Sequence, residues 1–153
     1  DAKKSLEKLK EKDPTNPSVY YAIGNAYFDQ YNNESNAIAA RLSAYDEAVK
    51  HLNKAVELKS DYFDAFYMLG AIYFNEGIRL GQEAEKNLND MAVYSKMKGK
   101  VDTTYRLAME NLEKALQLTP NDFNTLNALK KLYSRLNMIE KYNVVNEKLK
   151  SLK

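Results

Sequence analysis

One short segment occurs twice in the chain. Residues 20–28 read YYAIGNAYF and residues 66–74 read FYMLGAIYF, so an aromatic residue, a glycine and a second aromatic residue recur at the same spacing. Such a repeat indicates a fold built from one small unit that is stacked on copies of itself. This feature limits the possible architectures more than any other property of the sequence.

A second pair of matching segments lies further along the chain. Residues 45–58 (YDEAVKHLNKAVEL) align with residues 105–118 (YRLAMENLEKALQL), and apolar residues recur in both at the spacing of a helix face. With only 5 Gly and 3 Pro, the chain has too few turn residues for an all-β fold. Each repeating unit is therefore predicted to be a pair of α-helices.

These segments resemble the tetratricopeptide repeat, whose first helix carries an aromatic residue, then Leu-Gly, then Tyr. The matching residues are Tyr20, Ile23, Gly24 and Tyr27 in the first repeat, and Phe66, Leu69, Gly70 and Tyr73 in the second. The small residues of the second helices, which leave room for large neighbours, are Ala48, Ala55, Ala108 and Ala115. The resemblance implies an all-α fold, a right-handed superhelix of stacked antiparallel helix pairs (an α-solenoid).

The resemblance covers essentially the whole chain and predicts about three repeats after a half-repeat. The predicted parts are residues 1–13 (second helix of a preceding repeat), 17–60 (repeat 1), 63–119 (repeat 2) and 123–152 (repeat 3 with a capping helix). In repeat 3, Lys130 replaces the glycine and Tyr142 replaces the first small alanine, which suits a terminal repeat. The chain is similar to bacterial repeat proteins and is expected to be a fragment of a longer one.

Both intact repeats are longer than the usual 34 residues. Gly24 and Gly70 lie 46 residues apart, and the excess in repeat 1 predicts a turn at residues 31–33 followed by a lengthened second helix. In repeat 2 a larger insertion, at about residues 78–104, keeps its apolar spacing and predicts a long helical hairpin.

The two limbs of this hairpin can be placed on the sequence. We expect the first limb to extend through Leu88 and the second to run from Met91 to Leu118, with Asp90 as its N-cap. A helix of that length would measure about 40 Å.

Nothing in the sequence points to catalysis, a metal or a cofactor. The single histidine, His51, has no partner at ligand or nucleophile spacing and is expected to be either structural or on the surface, and the chain has no cysteine. A net charge of +2 does not indicate nucleic-acid binding, and no apolar run approaches the ~20 residues needed for membrane insertion. The chain is predicted to be a non-enzymatic soluble protein, either cytoplasmic or periplasmic.

The resemblance implies that the first helices of successive repeats line a concave groove. The predicted peptide-binding residues are Tyr21, Asn25, Phe28, Tyr67, Phe74, Asn75, Lys131 and Arg135. The aromatic residues would anchor a peptide and the two cations, one helical turn apart, would pair with a carboxylate. Alternatively, the aromatic residues pack within the protein. The family's clamp for chaperone C-termini is not expected, because only one of its five positions, Asn25, matches.

The leading hypothesis is a scaffold that binds a protein or peptide in this groove. The alternative is an assembly subunit that oligomerises or docks through the lengthened hairpin, with Met91, Tyr94 and Met97 as its contact surface. A role as an accessory domain of an enzyme is a third, less supported hypothesis.

Overall fold

The computed structural model describes all 153 residues and contains seven α-helices and no strand. The helices are Ala2–Lys12 (α1), Pro17–Asn32 (α2), Ile38–Leu58 (α3), Phe63–Glu85 (α4), Met91–Leu118 (α5), Phe123–Arg135 (α6) and Ile139–Ser151 (α7). The predicted all-α fold is thereby confirmed. The chain forms two compact units, Asp1–Leu69 and Gly70–Lys153, and their boundary falls within α4.

The N-terminal unit is held together by a notch, which is a small residue of one helix that receives a large side chain of the partner helix. It lies at the glycine position that the repeat pattern identified. Gly24 on α2 faces Leu52 on α3 so closely that a Cβ at Gly24 would lie 2.7 Å from Leu52 Cγ. Further along the pair, the Tyr31 and Tyr45 rings lie 5.5 Å apart. Residues later in α2 contact residues earlier in α3, so the two helices are antiparallel.

The C-terminal unit repeats this arrangement with other residues. A Cβ at Gly70 would lie 2.6 Å from Leu112 Cδ2, and a Cβ at Gly77 would lie 2.5 Å from the Tyr105 ring. Leu112 is fully buried, as are Ala108 and Ala115 of the same helix. Small residues therefore meet large ones along the contact between α4 and α5, which lets the backbones approach closely.

The second limb of the hairpin begins and ends where the apolar spacing predicted. Helix α5 runs from Met91 to Leu118, and Asp90 Oδ1 accepts a hydrogen bond from the Val93 amide at 3.2 Å. The first limb is shorter than expected, because α4 ends at Glu85 and Leu88 lies in the turn. Leu88 is 60% exposed, so no burial would stabilise a further turn, and the Asn87 amide and side chain bond the last carbonyls of α4.

The predicted turn at residues 31–33 is also displaced. Helix α2 continues through Asn32, and the turn occupies residues 33–37. Tyr31 is 2% exposed and its carbonyl accepts a hydrogen bond from Arg41 Nε at 2.7 Å. Burial of the Tyr31 ring therefore keeps this residue helical, although the neighbouring asparagines favour a turn.

The ends of α6 are fixed by two polar residues. Asp122 Oδ2 accepts hydrogen bonds from the Thr125 amide at 2.9 Å and the Thr125 hydroxyl at 2.7 Å. At the other end Asn137 has a φ of 58°, a conformation that asparagine tolerates better than most residues. The Met138 amide then donates to the Tyr133 carbonyl at 2.8 Å, which closes the helix and directs the chain into α7.

Candidate binding site

The predicted groove residues of the N-terminal unit are all half-buried. Tyr21, Asn25 and Phe28 lie on α2, and Tyr67 lies on α4. The Tyr21 ring is 5.3 Å from the ring of Tyr62, so part of its surface is used within the protein. Burial, with a smaller contribution from nearby carboxylate charge, raises the pKa of Tyr21. These side chains combine internal packing with a remaining accessible face.

In the C-terminal unit, predicted groove residues from two different repeats come together. Phe74 on α4 is half-buried, and the Arg135 guanidinium carbon on α6 lies 5.6 Å from the centre of its ring. The same guanidinium lies 5.7 Å from the Tyr105 ring and donates a hydrogen bond to the Tyr105 hydroxyl at 3.3 Å. Arg135 is therefore held by two aromatic rings. Asn75, the remaining predicted residue on α4, is half-buried.

An open cavity of about 430 Å³ lies on α6 and α7. Its lining residues are Asn127, Lys130, Lys131, Ser134, Arg135 and Tyr142. Lys131 and Arg135 were expected at a binding surface, whereas Lys130 and Tyr142 were interpreted only as marks of a terminal repeat. The Lys130 ammonium lies 5.6 Å from the centre of the Tyr142 ring.

The sequence carried a signal for this cavity in those same two substitutions. Lys130 occupies the position of the notch glycines, and Tyr142 occupies the position of the first small alanine. Four residues after Tyr142, Asn146 occupies the position that leucine fills in the other repeats. A repeat without its glycine, alanine and leucine cannot form the notch contact, and its long polar side chains border a cavity.

The residues predicted for the alternative assembly surface differ in exposure. Met91 is 63% exposed, whereas Tyr94 and Met97 are half-buried. The side-chain amide of Asn87 donates to Met97 Sδ at 3.5 Å, so Met97 contributes to the hairpin itself. The most accessible apolar side chains near the hairpin turn are Leu88, Met91 and Val93.

The surroundings of His51 indicate a structural role. It is 2% exposed, and its ring lies 6.2 Å from that of Tyr20 and 5.9 Å from that of Tyr27. Nδ1 lies 2.8 Å from the Glu47 carbonyl oxygen, and Nε2 lies 3.3 Å from Lys10 Nζ. A carbonyl can only accept and an ammonium can only donate, so Nδ1 carries the proton and Nε2 accepts. Both ring nitrogens are thus engaged.

No group of three or more His, Asp or Glu side chains is placed to hold a metal ion. No helix is both long enough and apolar enough to cross a bilayer.

Paired antiparallel helices that close through small-residue notches define a helical-repeat protein. The match to known families is more specific, because residues 41–77 fit the family model described as TPR repeat. Residues 41–77 therefore match the tetratricopeptide repeat that the sequence motifs predicted. Proteins built from this repeat are generally non-catalytic scaffolds for protein interactions.

Solved structures are similar to this chain at low sequence identity. A monomeric mutant of IFIT1 in a structure with Gppp-AAAA has a TM-score of 0.59 and 16% identity, over 97% of this chain and 45% of that one. This chain therefore spans less than half of the IFIT1 chain. A MamA structure is 19% identical over 98% of this chain and 88% of its own, with a TM-score of 0.39. MamA from Desulfovibrio magneticus RS-1 is 16% identical over 98% and 81%, with a TM-score of 0.38. No curated protein matches the chain.

Proposed function

We propose that the chain binds a protein or peptide segment through the open face of the first helices of its repeats. The observation that carries this proposal is the contact between Phe74 and Arg135, 5.6 Å apart. These residues come from the first helices of repeats 2 and 3, and the family pattern assigned both to one surface. Their contact supports a shared surface on α4 and α6.

The chemistry of this surface suits a peptide. Aromatic rings provide large apolar contact area and lose little conformational entropy when they bind, which is why they dominate the energetics of many interfaces. Phe74 is also fixed in place, because its ring lies 5.9 Å from that of Tyr105 on one side and close to Arg135 on another. A side chain that is already ordered loses less entropy when a partner binds.

In the N-terminal unit the same principle applies to α2 and the start of α4. The Tyr21 ring packs near Tyr62, and the Phe63 and Tyr67 rings stack at 6.2 Å. All four rings are half-buried, so internal packing and binding are compatible uses of the same side chains. The two interpretations of these aromatic residues therefore do not exclude each other.

The test is a comparison of captured proteins. The immobilised wild-type chain and its Tyr67→Ala/Phe74→Ala variant are incubated with the same lysate, and bound proteins are identified by mass spectrometry. Phe123→Ala serves as the control, because Phe123 is 51% exposed and lies outside the predicted groove positions. We expect a specific set of proteins to be retained by the wild type and the control and lost by the double variant.

Circular dichroism must show that the double variant keeps its helical content. If the same proteins remain bound to a folded double variant, the open face of these helices is not the binding surface.

A second candidate function is assembly or docking through the end of the hairpin. It is favoured by Leu88 and Met91, which are 60% and 63% exposed and lie close together at the hairpin turn. Light scattering on a Leu88→Ser/Met91→Ser variant tests this function, with Ile139→Ser as control because Ile139 is 68% exposed elsewhere. A monomer in every case would exclude self-association through the hairpin.

A further inference from the structure

The cavity on α6 and α7 carries an unusual concentration of uncompensated positive charge. Lys130, Lys131 and Arg135 all line it, and its other lining residues are neutral. None of the three cations forms an ion pair with a carboxylate: Lys130 and Arg135 contact aromatic rings, and Lys131 has no hydrogen-bond or ion-pair partner. The whole chain, in contrast, has a net charge of only +2.

In a second cavity, in the N-terminal unit, two of the three lining lysines are paired with carboxylates. That cavity, of about 450 Å³, is also lined by three lysines, Lys10, Lys50 and Lys54. Lys10 pairs with Glu7 at 2.7 Å and Lys54 pairs with Glu57 at 3.0 Å. The cations on α6 thus differ from those of a similar cavity elsewhere in the same chain.

The cations on α6 are also arranged for recognition. Arg135 is held by Phe74 and Tyr105, so its guanidinium is oriented before any ligand binds. Lys130 lies over the Tyr142 ring, and Lys131, one turn before Arg135 on the same helix, is exposed. The oriented guanidinium of Arg135 and the ammonium groups of Lys130 and Lys131 can together bind more than one carboxylate at a time.

We propose that this cavity binds the side-chain carboxylates of an acidic segment in the partner protein. This inference rests on the proposed function and specifies the chemistry of the partner at one end of the binding surface. The complementary ligand is a peptide with at least two neighbouring Asp or Glu residues. Aromatic anchors such as Phe74 would contact the apolar side chains that flank this acidic segment.

The direct test is fluorescence anisotropy on the full 153-residue chain at low ionic strength. The probe is an N-terminally labelled hexaglutamate with an amidated C-terminus, so that only side-chain carboxylates are present. Hexaglutamine with the same label is the uncharged comparison. We expect hexaglutamate to bind, hexaglutamine not to bind, and the affinity to fall as salt is added.

Two charge reversals then locate the binding site. Lys131→Glu should weaken hexaglutamate binding about tenfold, because a favourable charge becomes an unfavourable one. Lys98→Glu changes the net charge equally, but Lys98 is exposed on α5 and does not line the cavity, so we expect at most about a twofold change. Lys131→Arg, which keeps the charge, should retain binding. Since Lys131 is exposed, none of these variants should affect folding.

Several results would overturn the inference. These are the absence of hexaglutamate binding, equal binding of hexaglutamine, or an equal loss with Lys98→Glu. Stronger binding of a labelled oligoadenylate, lost in the Lys131→Glu variant, would assign the cavity to nucleic acid instead. The proposed function is tested separately: if proteins are captured through Tyr67 and Phe74 while hexaglutamate fails to bind, only the acidic chemistry is wrong.

Discussion

Substitution of Gly70 by alanine tests whether the notch between α4 and α5 holds the repeat together. Alanine is a better helix former than glycine by about 1 kcal/mol, so an unobstructed helical site should be stabilised. At Gly70, however, the added Cβ would lie 2.6 Å from Leu112 Cδ2 and would also overlap Cγ. Leu112 is fully buried, and its Cγ is not the flexible end of the side chain, so the clash has little means of relief.

The size of the effect follows from these opposing contributions. Overpacking of a core costs about 1–3 kcal/mol, and the rigid contact at Leu112 places Gly70→Ala towards the upper end of that range. After the helix-propensity gain, the free energy of unfolding should fall by about 2 kcal/mol. In a protein of this size the melting temperature should then fall by about 4–8 °C.

Gly99 provides a matched control for Gly70. It also lies within a helix, but apart from its chain neighbours and the surrounding helix backbone no atom lies within 4 Å of the position that its Cβ would occupy. Gly99→Ala should therefore raise the free energy of unfolding by about 1 kcal/mol. Thermal melts followed by circular dichroism compare the two variants. If Gly70→Ala is as stable as Gly99→Ala, the close approach to Leu112 does not exist in solution.

A double variant isolates the contact itself. Leu112→Ala alone should cost about 2–5 kcal/mol, because it leaves a cavity in the core. In that background the clash is removed, so Gly70→Ala should become favourable by about 1 kcal/mol. A Gly70→Ala effect that is unchanged by the loss of the Leu112 side chain would place the cause elsewhere.

Two further predictions concern the C-terminal unit. Asp122→Ala should lower the stability by about 1–2 kcal/mol in a thermal melt, because Asp122 caps α6 through both the amide and the hydroxyl of buried Thr125. Burial, and then a hydrogen bond to Glu113 at 2.7 Å, raises the pKa of Tyr133. Its contribution to stability should be present below the ordinary tyrosine pKa of about 10 and lost as the pH rises through the folded-state pKa. Glu113→Gln should lower the Tyr133 pKa in an ultraviolet titration but leave it above the ordinary value, since burial is the larger cause.

The sequence predicted those parts of the fold that depend on local patterns. Gly24 and Gly70, with alanines at fixed spacing in the second helices, identified the notches, and Asp90 marked the start of α5. Where tertiary burial competes with local preference the prediction was wrong. Tyr31 stays helical because its ring is buried, whereas Leu88 leaves the helix because nothing buries it.

The candidate site was predicted only in part. Family positions identified Lys131 and Arg135, but they could not show that Lys130 and Tyr142 border the same cavity. The cavity lies where Lys130, Tyr142 and Asn146 replace the glycine, alanine and leucine of the notch. Which side chains border it depends on the directions in which they extend, and these follow from tertiary packing. Whether any of these residues binds a ligand stays a prediction.

The first third of the long helix α5 is not anchored by buried side chains. The buried residues of this helix begin at Val101, and residues 91–100 contain no buried side chain. Amide protons in this first third should exchange with deuterium through local fraying, whereas those near Leu112 should require unfolding of the whole unit. Within α5, brief exposure to trypsin should accordingly cut at Lys96, Lys98 or Lys100 before it cuts at Arg106 or Lys114, and the severed protein should remain folded around its intact notches.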